Sequence, residues 1–262
     1  MQERHKDRKR YFYELAESSK NFFIPYIEKF HKISPDSKIL EVGCGDGGNL
    51  LPFSKRGCHT LGVDMAESRI MCAKNMFKTN NVKGDFIASN IFHLANTEHQ
   101  YDVILCHDVI EHIPDKEKLL ATLHDFLAKD GVIFLAFPAW MMPFGGHQQI
   151  CSNRLLSHAP FIHLLPRFLY KAILKTGHED DGCVKELMSI RNTRLTIEHF
   201  EQIIAQTNCL KIADRTLWLI NPHYKTKFGL TPRLLPKLIV KLPYIRDFFT
   251  TSCFYILTAY KN

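Results

Sequence analysis

The run Lys38-Ile39-Leu40-Glu41-Val42-Gly43-Cys44-Gly45-Asp46-Gly47 carries an apolar strand straight into a glycine-rich turn. Glycines at 43, 45 and 47 can take positive φ, and without a Cβ they let backbone N–H groups approach a ligand. The following Gly48 to Phe53 can open a helix. With glycine at 47 as well as at 43, 45 and 48, the spacing departs from the dinucleotide fingerprint and disfavours a hydride-transferring dehydrogenase.

Working outward, Cys58 to Val63 reads as a second buried strand and ends in Asp64. An acid roughly 20 residues beyond the first glycine is placed to accept the hydroxyls of a ribose. Glu41 and Asp64 thus put two carboxylates at strand ends, where open α/β sheets bind ligands. The plain alternative is a solvated pair of acids beside a tight turn, but strand, turn, helix, strand and acid arrive here in order. A nucleotide-like cofactor follows.

The pattern continues along the chain. Strands are expected near 38–42, 58–63, 84–88, 101–106 and 131–137, with helices near 48–56, 66–79 and 115–128. Such alternation specifies a parallel, doubly wound sheet with helices on both faces. Pro114-Asp115 starts the helix after the fourth strand, and Asp130-Gly131 turns the chain into the fifth. Further strands near 210–220 and 252–260 bring the count to seven. A helix over about 11–30 precedes the sheet, its stripe set by Phe12, Leu15, Phe22, Phe23, Ile27 and Phe30.

On Glu41 to Gly47, on Gly62-Val63-Asp64, on Tyr101 to Ile113 and on the Lys129 to Phe134 turn and strand, the chain resembles the class I S-adenosylmethionine-dependent methyltransferases. The resemblance covers about residues 36–138. It implies a mostly parallel, seven-stranded Rossmann-like α/β sheet with an antiparallel last strand, and S-adenosylmethionine as cofactor. Glu41, Gly43, Gly45, Asp46 and Gly47 would hold the cofactor's methionine end, Asp64 the ribose, and Met65 with Asn90 and Ile91 the adenine. Many relatives carry an aspartate where Asn90 stands. His107 would lie beneath the cofactor, and Tyr11 or Tyr13 can cover it, unless these tyrosines only pack. The segment Cys106 to His112 looks most like the branch of quinone-biosynthesis O-methyltransferases and enzymes that modify bacterial glycans or lipids.

The whole chain, 1–262, fits one α/β domain with additions, since 262 residues at 45% apolar content bury a substantial single core. The additions are an N-terminal helical segment over 1–35, a substrate-side insertion over 138–195 and a basic insertion over 221–248. Eight cysteines lie scattered with no C-x-x-C pair, a pattern of reduced thiols in a cytoplasmic protein. The charged opening has no apolar core of a signal peptide, and no apolar run reaches membrane-span length. The net charge is +7. Lys225, Lys227, Arg233, Lys237, Lys241 and Arg246 share residues 221–246 with no acid, and Met1 to Arg10 adds a second basic cluster. Such clusters attract phosphate groups, although basic faces are often simply solvated.

Insertions at the cofactor rim choose the substrate. Phe137 to Gln149 combines aromatics, the Gly145-Gly146 pair and His147, which is suited to take a proton from a substrate hydroxyl. The competing reading is a histidine that hydrogen-bonds a turn. His107 is a second catalytic candidate, and His112 would organise its loop. No histidines show zinc spacing, so no metal is expected. Asp180-Asp181, beside His178 and Glu179, reads as an exposed loop ahead of the alternative of a cation site. Arg167, Lys171 and Lys175 recur every four residues on an amphipathic helix, and Leu234 to Pro243 repeats that mixture of basic and apolar residues. These segments suit a lid over an apolar substrate, contact with the inner membrane face, packing on each other, or a homodimer interface.

The leading expectation is methyl transfer to an oxygen, less readily a nitrogen, of a small molecule, quinone, lipid or glycan precursor. The alternative is a non-catalytic binding module, against which the intact glycine loop and Asp64 argue. Nucleic acid is disfavoured as a partner because the Asn/Asp-Pro-Pro-aromatic and Pro-Cys motifs of DNA methylation are missing.

Overall fold

The computed structural model describes residues 7–94 and 100–260; part of the expected basic cluster at Met1 to Arg10 lies outside them. The strands are β1 (Lys38–Val42), β2 (His59–Asp64), β3 (Asp85–Ala88), β4 (Tyr101–His107), β5 (Leu127–Phe137), β6 (Leu210–Ile220), β7 (Arg233–Leu234) and β8 (Ser252–Ala259). They form one sheet in the order β3-β2-β1-β4-β5-β8-β6-β7. Strands β1 to β5 run parallel, and β8 is antiparallel to both β5 and β6. The expected doubly wound sheet is present with eight strands rather than seven. The extra one is the two-residue edge strand β7, which the basic stretch contributes by pairing with β6.

The central strands read as apolar runs because both faces are covered. Ile39, Val103 and Leu105 face one core layer, whereas Leu40, Val42, Ile104 and Cys106 face the other. The first layer holds the N-terminal helix, α3 (Leu51–Lys55) and α4 (Glu67–Thr79); the second holds α5 (Lys116–Asp125) and α9 (Ile197–Gln206). The N-terminal helix starts earlier than its apolar stripe suggested. The Asp7 carboxylate caps it by accepting from the Arg10 N–H, and α1 (Arg8–Ser18) passes through a π turn at Ser19–Phe23 into α2 (Ile24–Ile27). Tyr26 anchors this helix to β6, its hydroxyl donating to Asp214 at 2.6 Å.

Strand β5 begins at Leu127, before the expected turn at Asp130-Gly131, which is carried inside the strand beside a register shift at Tyr101/Val103. The 138–195 insertion, in which the sequence showed one amphipathic helix, folds into three, α6 (Arg154–His158), α7 (Arg167–Thr176) and α8 (Asp181–Thr193). Asp180 is no loop marker: its carboxylate accepts from the Cys183 N–H and starts α8. Glu179 ties the insertion together by accepting from the Ser152 and Asn153 backbone N–H groups. Tyr170, Leu174, Val184 and Leu187 give it a small core of its own. The basic stretch adds α10 (His223–Phe228), α11 (Lys237–Val240) and α12 (Ile245–Phe249). Among the described residues no helix is long and apolar enough to cross a membrane.

Candidate functional site

Strand order reverses between β1 and β4, so the loops after these strands diverge and leave a crevice, the place where open α/β sheets take ligands. The Gly43 and Cys44 N–H groups both donate to the Val63 carbonyl, at 2.8 and 3.1 Å, which folds the loop over the end of β2. The chain passes through φ of +68° at Gly43 and +81° at Gly47. A Cβ on Gly43 would lie 2.3 Å from Val109 Cγ2, so the loop after β4 is seated on this glycine. Gly48 does the same for α1, whose Phe12 carbonyl would lie 2.5 Å from a Cβ there.

The cofactor residues named from sequence are brought together here. The Asp64 carboxylate accepts from the Gly45 N–H at 2.9 Å and from the Ala66 N–H at 2.8 Å, which fixes it at the rim with acceptor capacity to spare. Met65 beside it is 74% exposed, a side chain free to lie against a ring. The Asn90 amide oxygen accepts from the Phe92 N–H and Ile91 is buried, so Asn90 shapes the turn with the oxygen that an adenine amino group would need. Asp46 is buried and held by Arg8 at 2.6 Å, facing the N-terminal helix. Glu41 is fully buried; one oxygen accepts from Asn49 at 2.7 Å, the other has no partner, and burial pushes its carboxyl up to about 8. A loop that only glycine can follow, a rim carboxylate and an exposed apolar side chain fit an adenosyl ligand.

On the other side of the crevice stand residues from separate elements. His107 packs its ring on Phe23, with centroids 4.9 Å apart, and its Nε2 lies 3.6 Å from Asp108. It is therefore walled in, more a prop for the loop than a group facing substrate. Asp108 sits in the left-handed region at φ +55°, with its N–H donating to the Ala136 carbonyl. Its charge is felt by Tyr11, Tyr224, Glu111, His112 and His147. His147, also left-handed at φ +57°, meets the His112 ring edge to face at 5.1 Å. Burial and the neighbouring His112 depress the His147 imidazole to about 4, so it is neutral at pH 7. Sequence spacing gave no metal, yet the fold gathers Glu111, His112 and His147 into one cluster.

Tyr11 is the expected cover residue that the structure places by the loop, since Arg69, Asp46 and Asp108 all act on it; burial raises its hydroxyl. Tyr13 instead meets Asn80 on the outside. Helix α10 returns to α1, where Ser18 Oγ lies 3.0 Å from His223 Nδ1, and so brings Tyr224 to the site. Asp108 and Tyr224 were not singled out from sequence. The only local signal for Asp108 is an acid just past a strand end. A separate concavity of ≈ 970 Å³, lined by Lys38, His59 and Tyr101, lies at the opposite, N-terminal ends of the strands and contains none of these groups.

This crevice on a doubly wound sheet defines a protein with the class I methyltransferase architecture, a class whose methyl donor is S-adenosylmethionine. A family profile described as "Methyltransferase domain" matches residues 8–175, and the chain belongs to that family. Among curated proteins it is similar to the ubiquinone biosynthesis O-methyltransferase of Rickettsia bellii (strain OSU 85-389), 29% identical over 116 residues, which are 44% of this chain and 48% of the relative. The enzyme of that name from Citrobacter koseri is 27% identical over 119 residues, 43% of this chain and 49% of the relative. The chain thus spans about half the length of the curated relatives it matches. Among solved structures, an S-adenosylmethionine-dependent methyltransferase from Clostridium acetobutylicum superposes with a TM-score of 0.59 at 13% identity, covering 92% of this chain and 91% of that one. The plantazolicin methyltransferase BpumL, in complex with a pentazolic desmethylPZN analog and SAH, gives 0.55 at 18% identity over 97% and 85%. These likenesses establish the shared fold.

Proposed function

We propose that the chain transfers the methyl group of S-adenosylmethionine to an oxygen of a small, largely apolar acceptor. The observation that carries this reading is the two-sided crevice: a glycine loop with Asp64 on one wall, and Asp108 with two imidazoles on the other. In this reading Gly43 to Gly47, Asp64 and Met65 hold the donor, while Glu41 and Asp46 brace the loop. When bound, the donor supplies an electrophilic methyl carbon. The protein's part is to hold an acceptor hydroxyl in line with it, about 3 Å away, and to exclude water beneath Tyr11 and Tyr224. His147 orients that hydroxyl; an imidazole titrating near 4 is a weak proton acceptor at pH 7, which leaves Asp108 as the base. His107 positions Asp108. The names of the curated relatives support oxygen over nitrogen and a phenolic or quinol acceptor.

The exposed face of the basic insertion gives this reading a setting. Leu238 is 81% exposed and Tyr244 68%, beside Leu234, Leu242, Phe248 and Phe249, with Lys237 and Lys241 among them. Apolar side chains rimmed by lysines suit the headgroup region of an anionic membrane, where an apolar acceptor would reside. The basic side of α7 instead shares a groove with α8, lined by Arg167, Lys171, Lys175 and Asp181. The two insertions touch at Phe161 and Phe248, whose ring centroids lie 6.3 Å apart.

The test uses methyl-labelled S-adenosylmethionine with an extract of the source cells, partitioned between organic and aqueous phases. Label in the organic phase, lost in Asp64→Ala, is expected; no transfer in either phase would favour the binding-module alternative. Sedimentation with anionic and neutral vesicles tests the setting, and Leu238→Asp should abolish binding to the anionic ones. Concentration-dependent dimers without vesicle binding would assign that face to a homodimer.

A further inference from the structure

We propose that Glu111, His112 and His147 form a divalent transition-metal site, best suited to Zn²⁺, on the acceptor side of the crevice. One ligand atom from each of the three lies within 4.8 Å of the others. Glu111 Oε1 and His112 Nε2 are 3.8 Å apart. Donors at Zn²⁺ bonding distances stand about 3.0–3.5 Å from one another, so side-chain rotation of an ångström or so closes the set.

Glu111 is the observation that asks for a ligand. It is 4% exposed, and neither carboxylate oxygen has a hydrogen-bond partner. A buried, unpaired carboxylate is costly unless it is neutralised or meets a cation. The nearby ammonium of Lys116 does not serve, because it donates to the Ile113 and Thr193 carbonyls at 2.8 and 2.6 Å. His147 is aimed by its backbone, since a left-handed conformation at a non-glycine residue is held against an intrinsic cost of about 1–2 kcal/mol. The adjacent Gln148 clamps that loop by donating to the Pro143 and Ala159 carbonyls. His112 keeps 39% of its side chain exposed, which leaves a route for an ion and for water.

Two imidazoles and one carboxylate favour Zn²⁺, Co²⁺ or Mn²⁺ over Mg²⁺ or Ca²⁺, and three protein ligands leave a position open for a substrate oxygen. The use of that position, though not the site itself, rests on the methyl-transfer reading. An acceptor hydroxyl bound there becomes more acidic and releases its proton to Asp108, whose half-exposed carboxylate passes it on to solvent. The oxygen lone pair then forms the O–CH₃ bond as the S–CH₃ bond breaks, its electron pair passing to sulfur to leave neutral S-adenosylhomocysteine. Each turnover releases one proton, and nothing is oxidised or reduced.

The test is direct metal binding to the full chain after chelator dialysis, by calorimetry with Zn²⁺ and by the visible spectrum with Co²⁺. One equivalent is expected, bound at least tenfold more weakly by His147→Ala, His112→Ala and Glu111→Gln. His147 lies half-buried on a loop outside the sheet core, so His147→Ala reports even if Glu111→Gln fails to fold. Absence of a one-equivalent isotherm, or equal affinity in His147→Ala, overturns the site. Methyl transfer that survives chelation at full rate overturns the acceptor role. Metal binding without any methyl transfer would count against the functional reading while upholding the site.

Discussion

Replacing Glu41 with glutamine should make the protein more stable at neutral pH, even though Glu41 sits directly beneath the glycine loop. The side chain is 1% exposed, and burial, helped by the charge of Asp64, lifts its carboxyl from an ordinary 4.5 to about 8 despite the hydrogen bond from Asn49. Between those values the folded chain holds a proton that the unfolded chain has released. Stability therefore falls as pH rises from about 4.5 to about 8. At pH 7 the shift corresponds to about 3 kcal/mol, with no discount for solvent screening because the group is fully buried. Glutamine keeps the oxygen that accepts from Asn49 and does not ionise on unfolding.

Glu41→Gln and the parent share every other titrating group, so the difference between their stability curves isolates this one. Urea unfolding from pH 4.5 to 8 should show near-equal stabilities at the acid end. At pH 7 the variant should be ahead by about 3 kcal/mol, or roughly 6–12 °C in melting temperature for a chain of this size. A difference that stays flat across the range would refute the buried, protonated carboxyl. A parent that gains on the variant as pH rises would mean that Glu41 ionises in place with a partner.

Gly43→Ala must accept φ +68° and a Cβ 2.3 Å from Val109 Cγ2; the combined strain and overlap should cost about 2–4 kcal/mol and weaken donor binding, and an unchanged melting curve would sink it. Arg246 is 6% exposed and bonds Glu198 and Glu201, both at 2.9 Å, so Arg246→Met should lose about 3–5 kcal/mol by urea unfolding. Adding Glu201→Gln should recover part of that loss; no recovery would mean packing, not stranded charge, was at stake. Tyr26→Phe removes the 2.6 Å bond to Asp214 and should cost about 1.5–3 kcal/mol with an unchanged urea slope, whereas a neutral result would show that the N-terminal helix docks without it.

The parallel sheet was legible because its central strands are buried on both faces and announce themselves as apolar runs, β1 closed by Gly43 and β4 by Asp108. The glycine-loop wall of the crevice was legible for a related reason: its backbone N–H groups and one carboxylate all lie within Glu41 to Asp64. What stayed hidden depended on contacts between distant segments. Strand β7 exists only because Arg233 and Leu234 meet β6, and two exposed residues carry no periodicity of their own. The insertion helices begin at single capping residues, Asn153 and Asp180, that look like loop residues until the backbone turns beneath them.

The opposite wall of the crevice shows why such a cluster resists reading from sequence. Asp108, Glu111 and His112 follow β4, His147 follows β5, Tyr11 comes from the N-terminal helix, and Tyr224 from the basic stretch. No spacing rule links them. Two of them, Asp108 and His147, hold a left-handed backbone without being glycine, a conformation that surrounding structure must impose. The glycine-loop wall is built largely from backbone groups, which can be arranged in few ways. The opposite wall is assembled from loops at separate strand ends, so its side chains can change without disturbing a single strand, and Asp108 and His147 are held in left-handed backbone there by the structure around them.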